Sequence, residues 1–164
     1  MELFPKKYLV QIEKIVISTG VGKFRNESQF EQKILPEIVK ELSLITGQKP
    51  AYTTARKSIS GFKVRAGQLV GLKVTLRGKR MRDFLFRLIN LVLPRVKDFR
   101  GIDLKSIDEK GCLNIGFREH YAFPEIDLEK SNVRFGLQVT IVPKVRNREK
   151  AIEIYKQIGI PLKI

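Results

Sequence analysis

The segment REHYAFPEID, residues 118–127, gathers Glu119, His120, Glu125 and Asp127 within ten positions. Carboxylates beside an imidazole are the groups that coordinate a divalent metal or relay protons at a hydrolytic centre. A small nuclease built on Glu119, His120 and Asp127 is therefore the enzymatic reading of this chain. The rest of the sequence argues against it. One His and one Cys, Cys112, make up the full complement of these residues. That excludes the usual zinc clusters and leaves a Cys–His pair to coincidence of folding. The remaining carboxylates are scattered, so the plainer account of 118–127 is a loop of solvated charges around a structural His. GVG at 20–22 follows a strand-like run, as a phosphate loop would. It has no G-x-x-x-x-G-K-[ST] pattern, and GVGKFR lacks the third Gly of a dinucleotide fingerprint. The glycines read as tight-turn residues. The expectation is a non-catalytic protein with no cofactor, catalytic or metal site.

The abundant chemistry is cationic. Between Glu41 and Asp83 the chain runs 41 residues without a carboxylate and carries ten Lys or Arg, out of a formal net charge of +15 over 164 residues. The centre of this window, RKSISGFKVRAGQLVGLKVTLRGKR at 56–80, holds eight of them. Acidic partners are absent along the whole stretch, so it is more than an ordinary solvated face. A field of this sign attracts polyanions, nucleic acid first and anionic membrane second.

The membrane reading is weak. FLFRLINLVL at 84–93 is too short to span a bilayer and is interrupted by Arg87. MELFPKKYLV lacks the apolar core and small residues of a signal peptide and the Ser- and Arg-rich character of a transit peptide. A single Cys forms no internal disulfide, in keeping with a reducing cytoplasm.

The elements that would position these cations follow from periodicity. No repeat or linker divides the chain, which reads as one domain over 1–164. IEKIVIS at 12–18 is a β-branched strand, with Ile15 and Ile17 on one face and Lys14, Val16 and Ser18 on the other. Ser28 and Glu31 have capping-box spacing ahead of a helix carrying Phe30, Ile34, Ile38, Leu42 and Ile45, which ends at Gly47 and is kinked or split by Pro36. Residues 62–77 switch to period two: FKVR, a turn AGQ and LVGLKVTLR suggest a hairpin, with Leu72, Val74 and Leu76 opposite Lys73, Thr75 and Arg77. Residues 80–93 read as a largely buried helix with Pro94 at its end. CLNIGF and RFGLQVTIV are further strands, the latter placing Gln138 and Thr140 opposite Leu137, Val139 and Ile141. A last helix, 148–158, is capped by Asn147 and stopped by Gly159.

Strands that alternate this cleanly belong to an antiparallel sheet with one solvated face. The expected class is α+β, with helices packed on the apolar face. The bare face would present Lys14, Ser18, Lys73, Thr75, Arg77, Gln138 and Thr140. It carries no aromatic residue, so it suits a folded, helical RNA read by backbone shape better than stacked single strands. DNA major-groove readout would need an exposed recognition helix. A generic RNA chaperone or DNA-binding module remains the third reading. Six to eight phosphate contacts would give log K a slope of roughly −4 to −7 against log salt.

IEKI at 12–15, GVG at 20–22, TGQKP at 46–50, ARKSISGFKVR at 55–65, KVTLRG at 73–78, LPRVKDFRG at 93–101, FPEID at 123–127 and the ending GIPLKI together resemble the bacterial-type large-subunit ribosomal protein five family. The motifs fall in family order over residues 10–164. The resemblance implies a concave antiparallel sheet backed by helices, in a structural protein that anchors 5S ribosomal RNA in the central protuberance. It also implies contacts with 23S ribosomal RNA, with the elbow of the P-site transfer RNA, and with small-subunit protein thirteen in an intersubunit bridge. No homo-oligomer is implied, and the location is the ribosome in the cytoplasm. Carried onto this chain, the 5S-binding positions are Ser18, Gln48 and Thr75. With their cationic neighbours, the expected ribosomal-RNA surface is Lys14, Ser18, Gln48, Lys49, Lys73, Thr75 and Arg77. The loop approaching transfer RNA would contribute Arg56, Lys57, Ser58, Lys63 and Arg65. The chain departs from the family in having Ser18 where Asn is usual, Leu69 where Pro is usual, and a shortened N-terminal extension at 1–11.

Overall fold

A computed structural model describes residues 11–163 of the chain. The shortened extension at 1–11 therefore lies outside the described residues, apart from Gln11. The fold is α+β, built on a five-stranded sheet in the order β2-β3-β1-β6-β5, with every neighbouring pair antiparallel.

The central strand is β1 (Ile12–Gly20), flanked by β3 (Leu69–Leu76) and β6 (Leu137–Pro143), with β2 (Ala51–Thr54) and β5 (Leu113–Phe117) at the edges. The register follows from the alternation. Leu76, Ile15, Ile141 and Leu113 form one row across four strands, and Val74, Ile17, Val139 and Ile115 form another. All eight side chains are buried. Each contributes about 1.5–3 kcal/mol by leaving water, and a one-residue slip would expose all of them. A bulge between Ile12 and Lys14 lets Ile12 join the buried side as well.

Helices cover that apolar face. In α1 (Leu35–Thr46), Ile38, Leu42 and Ile45 recur at helical spacing, are fully buried, and are followed by left-handed Gly47 at φ 67°. In α2 (Gly78–Arg87), Met81, Phe84 and Leu85 are buried, and a π-helical turn, Leu88–Val92, continues it into the short α3 (Leu93–Arg95). The last helix, α4 (Arg148–Ile158), opens with Lys150 N–H donating to Asn147 Oδ1 at 3.0 Å and closes at Gly159, φ 91°. Its Tyr155 hydroxyl donates to the Gly111 carbonyl at 2.6 Å, tying the helix to the loop before β5. A separate two-stranded parallel pair joins β4 (Ile102–Asp103) to β7 (Leu162–Lys163).

Three local readings are corrected. First, the Ser28–Glu31 capping box does not form. The helical turn starts one residue later, from left-handed Gln29 at φ 67°, with no side-chain cap. Second, the predicted split at Pro36 takes the form of a π-helical turn, Phe30–Ile34, that ends two residues before the proline. The turn Leu88–Val92 ends two residues before Pro94 in the same way. A proline ring clashes with the carbonyl four residues back, and widening that turn moves the carbonyl aside, so the helix continues. Third, FKVR is not the partner of β3. That partner is β2, with Ala51 opposite Lys73 and Tyr52 opposite Leu72. Residues 62–65 belong to the loop instead, because the turn Ser60–Phe62 and left-handed Lys63 (φ 52°) break the extended run after a single Ile59–Val64 bridge.

Candidate nucleic-acid interface

The registers that bury the apolar rows bring two polar rows to the opposite face. One is Ala51–Lys73–Ser18–Gln138–Gly116, and the other is Thr75–Val16–Thr140–Asn114. Ser18 is thus flanked by Lys73 on one side and Gln138 on the other. These residues, with Gly20, Thr53 and Gly71, line a shallow depression of about 530 Å³. Gly71 is required by the close approach of the strands, because a Cβ there would meet the Thr19 carbonyl oxygen at 2.7 Å.

The two halves of this face differ. On the β5–β6 side the polar groups satisfy one another: Gln138 Nε2 donates to Asn114 Oδ1 at 3.1 Å, and the Thr140 hydroxyl donates to the same oxygen at 2.8 Å. On the β1–β3 side, among the described residues, the hydroxyls of Ser18 and Thr75 have no hydrogen-bond partner and the Lys73 ammonium has no ion pair. Gln48, just past the left-handed cap of α1, reaches this side. Its Nε2 donates to the Thr75 carbonyl at 3.3 Å, and its Oε1 accepts from Arg80 Nη1 at 3.3 Å. The fold therefore unites Ser18, Gln48, Lys73 and Thr75, with exposed Lys49 and Arg77 beside them in sequence. Lys14 sits on the same strand but is partly neutralised. Its Nζ lies 3.0 Å from Glu13 Oε1, and that hydrogen bond and charge hold the Glu13 carboxyl below its ordinary value.

Arg56, Lys57, Ser58, Lys63 and Arg65 lie together on the loop 55–68 between β2 and β3, all exposed. Ser58 turns inward in part, its Oγ accepting from Ala66 N–H at 2.9 Å. One polar residue of this face, Asn114, escaped the sequence reading, although Leu113, Ile115 and Phe117, which alternate with it in β5, mark its place. Arg80 counts among the cations of 56–80, but its link to Gln48 is made by tertiary packing and carries no sequence signal.

The candidate acid–base cluster is dispersed. His120 is fully buried and stacks on Phe135 at 4.0 Å between ring centres. Glu119 pairs with Arg134, Glu125 with Arg87, and Asp127 with Lys130. Among the described residues, no group of three or more His, Cys, Asp or Glu side chains is placed to hold a metal ion. No described helix is long and apolar enough to cross a membrane.

Comparison with known proteins places the chain in a family of non-enzymatic structural proteins. Residues 8–65 match the family described as ribosomal protein L5, and residues 69–162 match the ribosomal L5P family C-terminus. The large ribosomal subunit protein uL5 of Lacticaseibacillus casei is 50% identical over 151 residues, covering 92% of this chain and 82% of the relative. Its counterpart in Syntrophomonas wolfei is 46% identical over 166 residues, covering 99% and 91%, and that of Halothermothrix orenii is 44% identical over 151 residues, covering 92% and 82%. Matched in order through both halves, the chain belongs to the ribosomal protein L5 family and is a structural, non-enzymatic constituent of the large ribosomal subunit, working in the cytoplasm.

Proposed function

We propose that the β1–β3 side of the sheet binds 5S ribosomal RNA and anchors it in the central protuberance. The observation that supports this most directly is the contrast across the sheet face. Among the described residues the hydroxyls of Ser18 and Thr75 have no partner beside Lys73 and Gln48, whereas Asn114, Gln138 and Thr140 bond to one another. Unpaired hydroxyls set between cations suit ribose and phosphate groups, where the cations supply affinity and the short polar groups fix register. No aromatic side chain stands in either polar row, which favours helical RNA over stacked single strands. The loop 55–68 then meets a second RNA, the elbow of the P-site transfer RNA, through Arg56, Lys57, Lys63 and Arg65. Contacts with 23S ribosomal RNA and with small-subunit protein thirteen complete the proposed setting, with the chain acting as a single copy.

The test is a titration of the protein against labelled 5S ribosomal RNA at two salt concentrations, with excess unrelated RNA duplex as competitor. Binding that survives the competitor near physiological salt is expected. Binding lost to the competitor would leave only a generic basic surface and would sink the 5S assignment.

A further inference from the structure

Phe62 is 77% exposed, the most exposed large apolar side chain among the described residues, and Ile59 beside it in the loop is 51% exposed. An aromatic residue near a loop is ordinarily an anchor that packs inward, and Phe62 does the opposite. The segment that presents it is closed by its own bonds. Ile59 N–H donates to the Val64 carbonyl at 2.8 Å, and Val64 N–H returns a bond to Ile59 at 3.1 Å. Lys63 N–H donates to Ser60, and the base of the loop is fastened by Gly67 N–H to Ala55 and Ala55 N–H to Gln68, both at 2.8 Å. From outside the loop, Arg25 Nη2 donates to the Lys63 carbonyl at 2.8 Å. The ring therefore stands on a miniature hairpin whose backbone is already tied. Exposed Arg56, Lys57, Lys63 and Arg65 surround it in the loop, which contains no carboxylate.

We infer that Phe62 is a base-stacking contact, and that it lays its ring on a nucleobase left exposed at the end of a helical stack or unpaired in a folded RNA. The argument joins two requirements. An exposed apolar ring needs a flat apolar partner, and four cations with no ion pair among the described residues need a polyanion. A nucleic acid offers both in one molecule: every base has a π-face, and the phosphates beside it are within reach of the Lys and Arg side chains. An apolar groove on a protein would satisfy the ring and leave the cations unmatched. A lipid surface would match the charge, but it offers no flat partner and receives only two apolar side chains. The inference rests on the reading that the loop 55–68 meets RNA, and it divides labour within the chain. The sheet rows read backbone without aromatics, and the loop tip adds one base contact.

The chain has no Trp, so Phe62→Trp introduces a single fluorescent reporter at the tip of the full-length protein. The probes are an RNA duplex carrying one unpaired purine, the same duplex fully paired and closed at its ends, linear polyphosphate, and phosphatidylglycerol vesicles. The expected result is quenching of the indole by the duplex with the unpaired purine and little quenching by polyphosphate. Phe62→Leu should lose on the order of tenfold in affinity for the unpaired-purine duplex, the range of a base–aromatic contact, with polyphosphate binding unchanged. Equal quenching by polyphosphate, or full affinity in Phe62→Leu, would overturn the stacking role. Emission shifted to the blue by vesicles without quenching by RNA would overturn it in favour of lipid. The double variant Lys63→Gln/Arg65→Gln separates the two levels of the argument. If it weakens RNA binding while Phe62 proves dispensable, the stacking contact fails and the RNA-facing loop stands. If it binds RNA as well as the parent, both fail.

Discussion

His120 Nε2 lies 2.8 Å from Glu41 Oε2, with the imidazole fully buried and the carboxylate nearly so. The other ring nitrogen, Nδ1, lies 3.3 Å from the Phe135 carbonyl, an acceptor only, so Nδ1 carries a hydrogen. One proton then sits between Nε2 and Oε2, and the Ser131 hydroxyl, 3.3 Å from Nε2 and bonded to the Glu41 carboxyl, completes the cluster. Burial drives the carboxyl above its ordinary 4.5 and the imidazole below its ordinary 6.5. Both effects favour a neutral pair, with the carboxylic acid donating to the imidazole. The pair pins α1 to the segment between β5 and β6.

The two shifts act on stability in opposite senses. The raised Glu41 carboxyl favours the folded chain at low pH, a contribution lost as pH rises from about 4.5 through the raised value, whereas the lowered His120 imidazole costs stability as pH falls from about 6.5 through the lowered value. Urea unfolding from pH 4 to 9 measures both. Glu41→Gln removes the titrating carboxyl and should abolish the loss on raising the pH while keeping the loss on acidification. An unchanged profile in that variant would show that the pair does not set it.

Tyr155→Phe removes the hydroxyl that donates to Gly111 and should cost about 1–2 kcal/mol, because a buried carbonyl loses its donor. Burial also holds that phenol well above its ordinary value, so it stays a donor at any working pH. Gly111→Ala should cost more. Gly111 is left-handed at φ 84°, and an added Cβ would sit 2.6 Å from Ala151 Cβ. Denaturant midpoints rank the two variants, and a milder Gly111→Ala would contradict the packing described.

On the sheet face, Lys73→Gln should weaken 5S binding and reduce the slope of log K against log salt by about 0.9, the signature of one lost phosphate contact. Thr75→Ala should weaken it by about 1–2 kcal/mol with the salt slope unchanged, as a lost hydrogen bond does. If both variants bind as the parent does, the RNA lies elsewhere.

By contrast, Asn114→Ala is expected to disturb the sheet face more than RNA binding. Its oxygen accepts from both Gln138 and Thr140, so its loss frees two donors. A change in 5S affinity as large as that of Thr75→Ala would move the interface toward β5.

Much of this architecture was legible because burial imposes strict periods. Ile15 and Ile17, Leu72 to Leu76, and Leu137 to Ile141 alternate over enough residues to fix both strand and face, and Asn147 and Gly159 bracket α4 by known cap chemistry. The edge strand was missed because β2 has only four residues and three of them are exposed, so it carries no pattern. FKVR alternates without pairing, since period two states a capacity to extend and not the identity of a neighbour. Within the site, Ser18, Lys73 and Thr75 were legible as strand positions. Gln48 came from the family resemblance alone, because a residue beyond a helix end finds its place beside Thr75 only through tertiary packing.

The two π-helical turns carry a consequence for insertions and deletions. A π-helical turn holds one residue more than an α-helical turn over about the same arc, so removing one residue from Leu88–Val92 would close the turn back to α-helical geometry, and the ring of Pro94 would again face an unmoved carbonyl. The same holds for Phe30–Ile34 ahead of Pro36. In these two places the count of residues is under constraint, and a conservative substitution should be tolerated where a single-residue deletion is not.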